Sequence, residues 1–335
     1  MSATLKDIAK ETGLSTATIS KYINGVKLKE KNSILIENAI KKLNYTVNEY
    51  ARGLKSNKSK TIGVVIPELS NLFITQIITN MEKLLRTKGY STIICDCHTD
   101  EKIEFEAVNF LLSKRVDGII NMPVDKKGEH LKLAIEKKIP IVLIDREIEE
   151  IKNVTESVLV DNMQATYNAT EHLLLNGHTE IGVILGPKDI YTSKLRLKGY
   201  KKALENFKIT YNSNNVEFSD YTVEGGYESF GKLLKKNNKI TAIFTTNYEM
   251  TLGAIIAINE KGINIPNDLS FIGFDNLDLA KITQPKLTIV TQPLEQIGMY
   301  AAELMLRKIN NFEDNSFYSN LPTEMIYGNS VKKIL

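Results

Sequence analysis

The stretch that most limits what this chain can fold into is its beginning, residues 4–24, TLKDIAKETGLSTATISKYIN. Leu5, Ile8 and Ala9 recur at helical spacing, while Lys6, Asp7, Lys10 and Glu11 fall on the opposite side. The pattern stops at Gly13, a residue able to take the left-handed conformation that ends a helix. Ser15 then offers an N-cap for a second helix, whose apolar side is expected at Ala17, Ile19 and Ile23, with Leu14 before it. Two short helices joined by a glycine-containing turn predict a helix-turn-helix. The second helix would expose Thr16, Ala17, Thr18, Ser20, Lys21 and Tyr22, small, hydroxylated or basic side chains that can meet phosphates or base edges. A surface helical hairpin satisfies the same pattern, so other features must decide between the two.

Charge is the first of them. Residues 1–60 hold 12 Lys/Arg against 5 Asp/Glu, leaving 31 basic and 35 acidic residues for the remainder. A basic head on a mildly acidic body fits a polyanion-binding module joined to something else. A chain of 335 residues predicts two or three domains. The start carries no apolar signal segment and no run approaches the roughly 18 apolar residues of a membrane span. A cytoplasmic protein with no membrane partner is therefore expected. Cys95 sits in a strand pattern, STIICD, and Cys97 directly follows it; both are expected as core side chains of a reducing compartment. His98, His130, His172 and His178 show no metal-ligand spacing, so neither a metal nor a cofactor is expected. No phosphate-binding glycine loop, dinucleotide fingerprint or nucleophile elbow occurs, and no catalytic residues are assigned.

Beyond the polar loop GVKLKEKN, a third helix is predicted from about Asn32 to Leu43, with Ile34, Leu35, Ala39, Ile40 and Leu43 on one face. Residues 48–54 could form a further short helix, and 55–60 read as a polar basic linker. From Thr61 the chain alternates short β-branched runs with amphipathic segments. Strands are predicted at 61–67, 91–96, 117–122, 141–145, 157–161, 180–185, 242–246 and 269–275, with helices between them. So many units exceed one small sheet, and two similar α/β subdomains are expected.

At the residue level the chain resembles the lactose-repressor and galactose-repressor family of bacterial transcription regulators. The head pattern is carried by Thr4-Leu5-Lys6-Asp7-Ile8-Ala9, Gly13-Leu14-Ser15, Thr18-Ile19-Ser20-Lys21 and Asn24-Gly25. The hinge pattern is carried by Leu43-Asn44-Tyr45, Asn48, Ala51-Arg52 and Leu54, and Lys60-Thr61-Ile62-Gly63-Val64 opens the core. Three departures stand out: Val47 where the family has proline, Lys21 where it has arginine, and Tyr248 after Asn247 where it has aspartate. Lys21 supplies a point charge rather than a bidentate fork.

The resemblance implies a three-helix head at 1–47, a hinge helix and linker at 48–60, and a ligand-binding and dimerisation core at 61–335. The core would have a periplasmic-binding-protein-like fold of two doubly wound parallel-sheet subdomains. Its first subdomain would span about 61–160 and 292–320, its second about 161–291 and 321–335. A homodimer would place two heads on a near-palindromic double-stranded operator. DNA contacts are expected from Thr4, Leu5, Lys6, Ser15, Thr16, Ala17, Thr18, Ser20, Lys21, Asn24, Asn48 and Ala51, with Leu54 as a minor-groove wedge. Strand ends and family positions together nominate Phe73, Asp145, Arg146, Asp161, Arg196, Tyr221, Asn247, Asp275 and Gln292 for a small effector between the subdomains. That effector is expected to be a sugar, sugar acid or sugar phosphate, and the function repression of carbohydrate-use genes. The alternative keeps the DNA-binding half but takes a phosphocarrier protein or a corepressor as its signal. After the last strand no heptad pattern follows, so no tetramerisation helix is expected.

Overall fold

The computed structural model describes residues 3–23, 26–45, 58–275, 277–311 and 320–334. The chain divides into two units, residues 1–60 and 61–335.

Among its described residues the first unit contains three helices: α1 (Leu5–Thr12), α2 (Thr16–Ile23) and α3 (Glu30–Lys42). Thr4 starts α1 with a capping box: its N–H donates to the Asp7 carboxylate at 2.8 Å, and the Asp7 N–H reaches its hydroxyl at 3.4 Å. The Thr4 hydroxyl also donates to Asp7 and holds that carboxyl below its ordinary range. Gly13, at φ 69, closes α1 in the left-handed region, with its N–H on the Ala9 carbonyl. Ile8, Ile19, Ile36 and Ala39 form the buried centre, and Leu5, Leu14, Tyr22 and Ile40 pack around it.

Here the structure corrects the sequence reading of the third helix. Ile34 and Leu35 are exposed, at 52% and 40%, while Ile36 is fully buried. The stripe that turns inward is Ile36, Ala39, Ile40 and Leu43, spaced by three and four, and Ile34 and Leu35 lie off it. Ala17 is likewise exposed rather than part of the apolar side of α2.

Among its described residues the second unit holds two six-stranded sheets. The first comprises β1 (Thr61–Ile66), β2 (Ser91–Asp96), β3 (Gly118–Asn121), β4 (Ile141–Ile144), β5 (Glu156–Val160) and β11 (Asn320–Leu321). Its helices are α4 (Leu72–Thr87), α5 (Glu101–Ser113), α6 (Lys132–Glu136) and α12 (Leu294–Ile309). The strand order is β11-β5-β4-β3-β1-β2, with every pairing parallel. The second sheet comprises β6 (Ile181–Leu185), β7 (Val216–Phe218), β8 (Ala242–Thr245), β9 (Ser270–Phe274), β10 (Thr288–Thr291) and β12 (Glu324–Ile326). With it go α7 (Asn162–Leu175), α8 (Tyr191–Asn206), α9 (Val223–Lys236), α10 (Tyr248–Glu260) and α11 (Leu277–Ile282). Its order is β12-β10-β9-β8-β6-β7, and only β12 runs antiparallel.

Strands such as Ile181–Leu185 and Ser270–Phe274 are buried along their whole length because helices cover both faces of the sheet. In the first subdomain, α4 and α12 pack on one face and α5 and α6 on the other. In the second, α7 and α8 oppose α9, α10 and α11. The chain crosses between sheets after Val160, after Thr291 and after Leu321. Leu321 pairs with Val160 and so belongs to the first sheet. The strand Val216–Phe218 was hidden in a stretch that reads as loop, because three residues are too few to show alternation.

Candidate functional site

A cleft between the two sheets collects the carboxyl ends of strands from both. Glu68 follows β1, Met122 follows β3 and Asp145 follows β4 on one side; Pro187, Asn247, Asp275 and Gln292 follow β6, β8, β9 and β10 on the other. This is where open parallel sheets place ligands, since helix N-termini and free strand-end groups converge there.

Two aspartates occupy equivalent places. Asp145 has φ 67 and Asp275 has φ 71, in the left-handed region that ordinary side chains avoid. Each backbone N–H crosses to the next strand, Asp145 to Val158 at 3.1 Å and Asp275 to Val290 at 2.7 Å. These bonds hold the chain in a costly conformation and turn each strand end toward the cleft, where both aspartates are lining residues.

Arg196 enters from α8 and is buried. Its Nε donates to Asn162 at 2.8 Å, a terminal nitrogen donates to the Thr246 carbonyl at 2.5 Å, and its carbon centre lies 4.5 Å from the Phe274 ring centroid. Arg146 is half-buried; it pairs with Asp145 at 3.3 Å and donates to the Pro123 carbonyl at 2.9 Å. Tyr221 lies over Gly186, where any Cβ would meet its ring, and its hydroxyl bonds Ser193 at 2.8 Å and Thr192 at 3.0 Å. Asn247 caps α10 by accepting from the Met250 N–H at 2.9 Å. Gln292 donates to Asp275 at 2.8 Å. Burial pushes the Asp275 carboxyl up to about 7, against the pull of Arg196.

Of the nine effector residues nominated from sequence, eight line this cleft: Phe73, Asp145, Arg146, Arg196, Tyr221, Asn247, Asp275 and Gln292. Asp161 is not among the lining residues. Its carboxylate accepts from the Gln164 N–H at 2.9 Å and caps α7, the local bond that an aspartate ahead of a helix makes first.

The structure adds residues that sequence reasoning passed over. Asn71 caps α4 through its carbonyl oxygen and donates its amide at 2.8 Å to Glu249 of α10, across the cleft. Burial raises the Glu249 carboxyl, and the nearby Glu68 charge adds to it. Burial would also raise Asp220, but the Thr222 hydroxyl and N–H outweigh it and hold that carboxyl low. Asn71 was visible as a cap ahead of an apolar helix; nothing local marked Glu249 as its partner.

In the head, α2 turns Ile19 inward and leaves Thr16, Ala17 and Lys21 exposed about one turn apart. Ser15 accepts from the Thr18 N–H at 3.2 Å, and the two hydroxyls lie 2.9 Å apart. Ser15 and Thr18 therefore fix the helix start, and Ser20 is half-buried. Thr4 and Lys6 are exposed. Leu5 is half-buried against the head's own core, which makes it a packing residue. Asn24, Asn48, Ala51 and Leu54, and with them the expected hinge, lie outside the described residues.

Residues 4–48 match the family of bacterial regulatory proteins of the lacI type, and residues 59–327 match the periplasmic binding proteins and sugar-binding domain of that family. The chain is 34% identical to catabolite control protein A of Priestia megaterium, over 99% of this chain and all of that protein. It is similar to the lac repressor dimer bound to operator and the anti-inducer ONPF, with a TM-score of 0.86, 26% identity and coverage of 99% and 100% of the two chains. It is also similar to a LacI-family regulator of Enterococcus faecium with bound ribose, with a TM-score of 0.72 and 27% identity over 82% of this chain and all of that one.

Proposed function

Because this chain belongs to the lacI family of bacterial regulatory proteins, we propose that it represses carbohydrate-use genes by reading an operator through α2 and answering a small hydroxylated effector in the cleft. It is a DNA-binding transcription regulator with an effector-binding core. The observation that carries the DNA half is the exposed stripe Thr16, Ala17 and Lys21, on a helix whose opposite side is anchored by Ile19. Small residues allow close approach to base edges and Lys21 adds a charge for phosphate or guanine. The basic balance of residues 1–60 supplies the sequence-independent attraction.

The effector half rests on the strand-end aspartates, Arg196 and Gln292. Such groups accept from and donate to sugar hydroxyls in fixed directions. The bound ribose of the Enterococcus faecium protein supports a sugar-sized ligand. The lac repressor dimer bound to operator supports a dimer that brings two heads to DNA, and the resemblance of the hinge residues makes Leu54 the candidate wedge. A ligand changes operator affinity only if it binds the DNA-competent and incompetent forms unequally.

A gel shift on the upstream region of the protein's own gene cluster, titrated with sugars, tests both halves. Retention that a sugar alters is the expected result. Loss of all retention at low salt would remove the regulator reading. Retention that no small molecule changes, but that a phosphocarrier protein does, would replace the sugar effector.

A further inference from the structure

The cleft holds more acceptors than its own donors can satisfy. Glu68, Asp145, Asp220, Glu249 and Asp275 line it, against the guanidinium groups of Arg146 and Arg196. Both guanidiniums are partly engaged, each through Nε and one terminal nitrogen: Arg146 with Asp145 and the Pro123 carbonyl, Arg196 with Asn162 and the Thr246 carbonyl. Asp220 is tied into its own turn by Thr222. Glu68 accepts from the Ser70 hydroxyl at 2.6 Å, which leaves Glu249 and Asp275. Glu249 receives amide hydrogens from Asn71, from Asn247 and from its own backbone, and Asp275 receives the Gln292 amide. Burial raises both carboxyls, and the Glu249 charge adds to the rise at Asp275. Arg196 pulls against the rise at Asp275 but makes its hydrogen bonds elsewhere, so among the described residues no cation is bonded to either carboxylate.

A second observation is independent of the acids. Gln292 is only 8% exposed, and its Oε1 is buried without a hydrogen-bond partner. Because its Nε2 is committed to Asp275, the unmatched atom is an acceptor for which the described residues supply no donor. A buried orphan acceptor costs the full desolvation of that atom, which a ligand N–H or O–H would recover.

We propose that the effector is a hydroxylated ligand bearing a protonated amine, an amino sugar, whose ammonium lodges with Glu249 and Asp275 and whose donor meets Gln292 Oε1. The proposal rests on the reading of the cleft as a sugar site and narrows it. It disfavours sugar acids and sugar phosphates, whose charge would add to a cleft lined by five carboxylates against two guanidiniums.

The test is calorimetric titration of the full chain at pH 6.5 with three matched series. Glucosamine, galactosamine and mannosamine are compared with glucose, galactose and mannose, and with the three corresponding uronates. At least one amine should bind about tenfold or more tightly than its neutral parent, with the uronates weakest. In Glu249→Gln, with its fold checked by circular dichroism, the ratio of amine to neutral affinity should fall toward one. A neutral sugar or uronate that binds as well as its amine counterpart would overturn the amine assignment while leaving the sugar site standing. So would an amine preference that survives in Glu249→Gln. Silence from all nine sugars would remove the sugar site itself and the proposal with it.

Discussion

Asp275 shows how a single residue is set by its surroundings. It follows β9 in a left-handed conformation, bonded to Val290 and Gln292, with burial raising its carboxyl to about 7. The folded, ligand-free protein therefore keeps a proton that the unfolded chain releases near 3.8. Stability from this group is greatest at low pH and is lost as pH rises from about 4 to 7, after which it levels off. Asp275→Asn should flatten that dependence. Thermal midpoints at pH 5 and pH 7.5 check it, and an equal fall in wild type and variant would disprove the assignment. Arg196 poses a different question, because its fork serves two buried acceptors while its face lies on Phe274. Arg196→Lys keeps the charge but cannot satisfy both, and should lower stability by about 1–3 kcal/mol besides weakening the effector response. Urea unfolding together with a sugar dose response measures both, and an unchanged midpoint would show the fork to be dispensable.

At the scale of elements, α3 separates apolar character from burial. Ile36 is fully buried and Ile34 is 52% exposed, two residues away on the same helix. Ile36→Ala should cost about 2–5 kcal/mol of head stability, as core truncations do. Ile34→Ala should be nearly neutral in the free protein, since alanine is also the better helix former. Chemical unfolding of both variants decides, and equal losses would refute the assigned face. The head's helices were legible because Thr4, Gly13 and Ser15 are local punctuation that acts within one turn. The inward face of α3 was not, because three apolar residues in a row, Ile34, Leu35 and Ile36, fit two neighbouring stripes equally well. Leu54→Ala tests the hinge proposal. It should weaken specific far more than non-specific DNA binding in a filter-retention assay, and equal loss of both would exclude the wedge.

For the whole molecule, charge distribution and the cross-cleft contact matter most. The excess of 12 Lys/Arg over 5 Asp/Glu in residues 1–60 requires operator affinity to fall steeply and log-linearly with salt. A flat salt profile would contradict phosphate neutralisation by the head. Lys21→Ala should reduce the slope by roughly one if that lysine meets a phosphate, and should relax base preference instead if it meets a base edge. The Asn71–Glu249 hydrogen bond joins the two subdomains directly at 2.8 Å. Because Glu249 is also a candidate ligand group, occupancy of the cleft and closure of the cleft compete for the same carboxylate. That shared partner is a physical means by which a ligand can favour one subdomain arrangement over another.

Much of this protein was settled within short stretches of its sequence. Buried β-branched runs such as Ile181–Leu185, helices opened by Thr4, Asp100 and Thr222, and the basic head all follow from spacing, capping and charge. Asp145, Arg146, Asn247 and Asp275 could be named in advance because strand ends in parallel sheets converge at a predictable edge, whereas Phe73, Arg196 and Tyr221 came from the family resemblance and Gln292 from an expected crossover. What only the tertiary structure decided is which partners those residues meet. Asp161 spends its carboxylate on the nearest helix, whereas Asn71 finds Glu249 at 178 residues' separation and Gln292 is left with an acceptor unmatched. Periodicity and caps act over a few residues and can be read from the order of the chain. Convergence depends on how loops from two separate sheets come to face each other, and no local pattern encodes that.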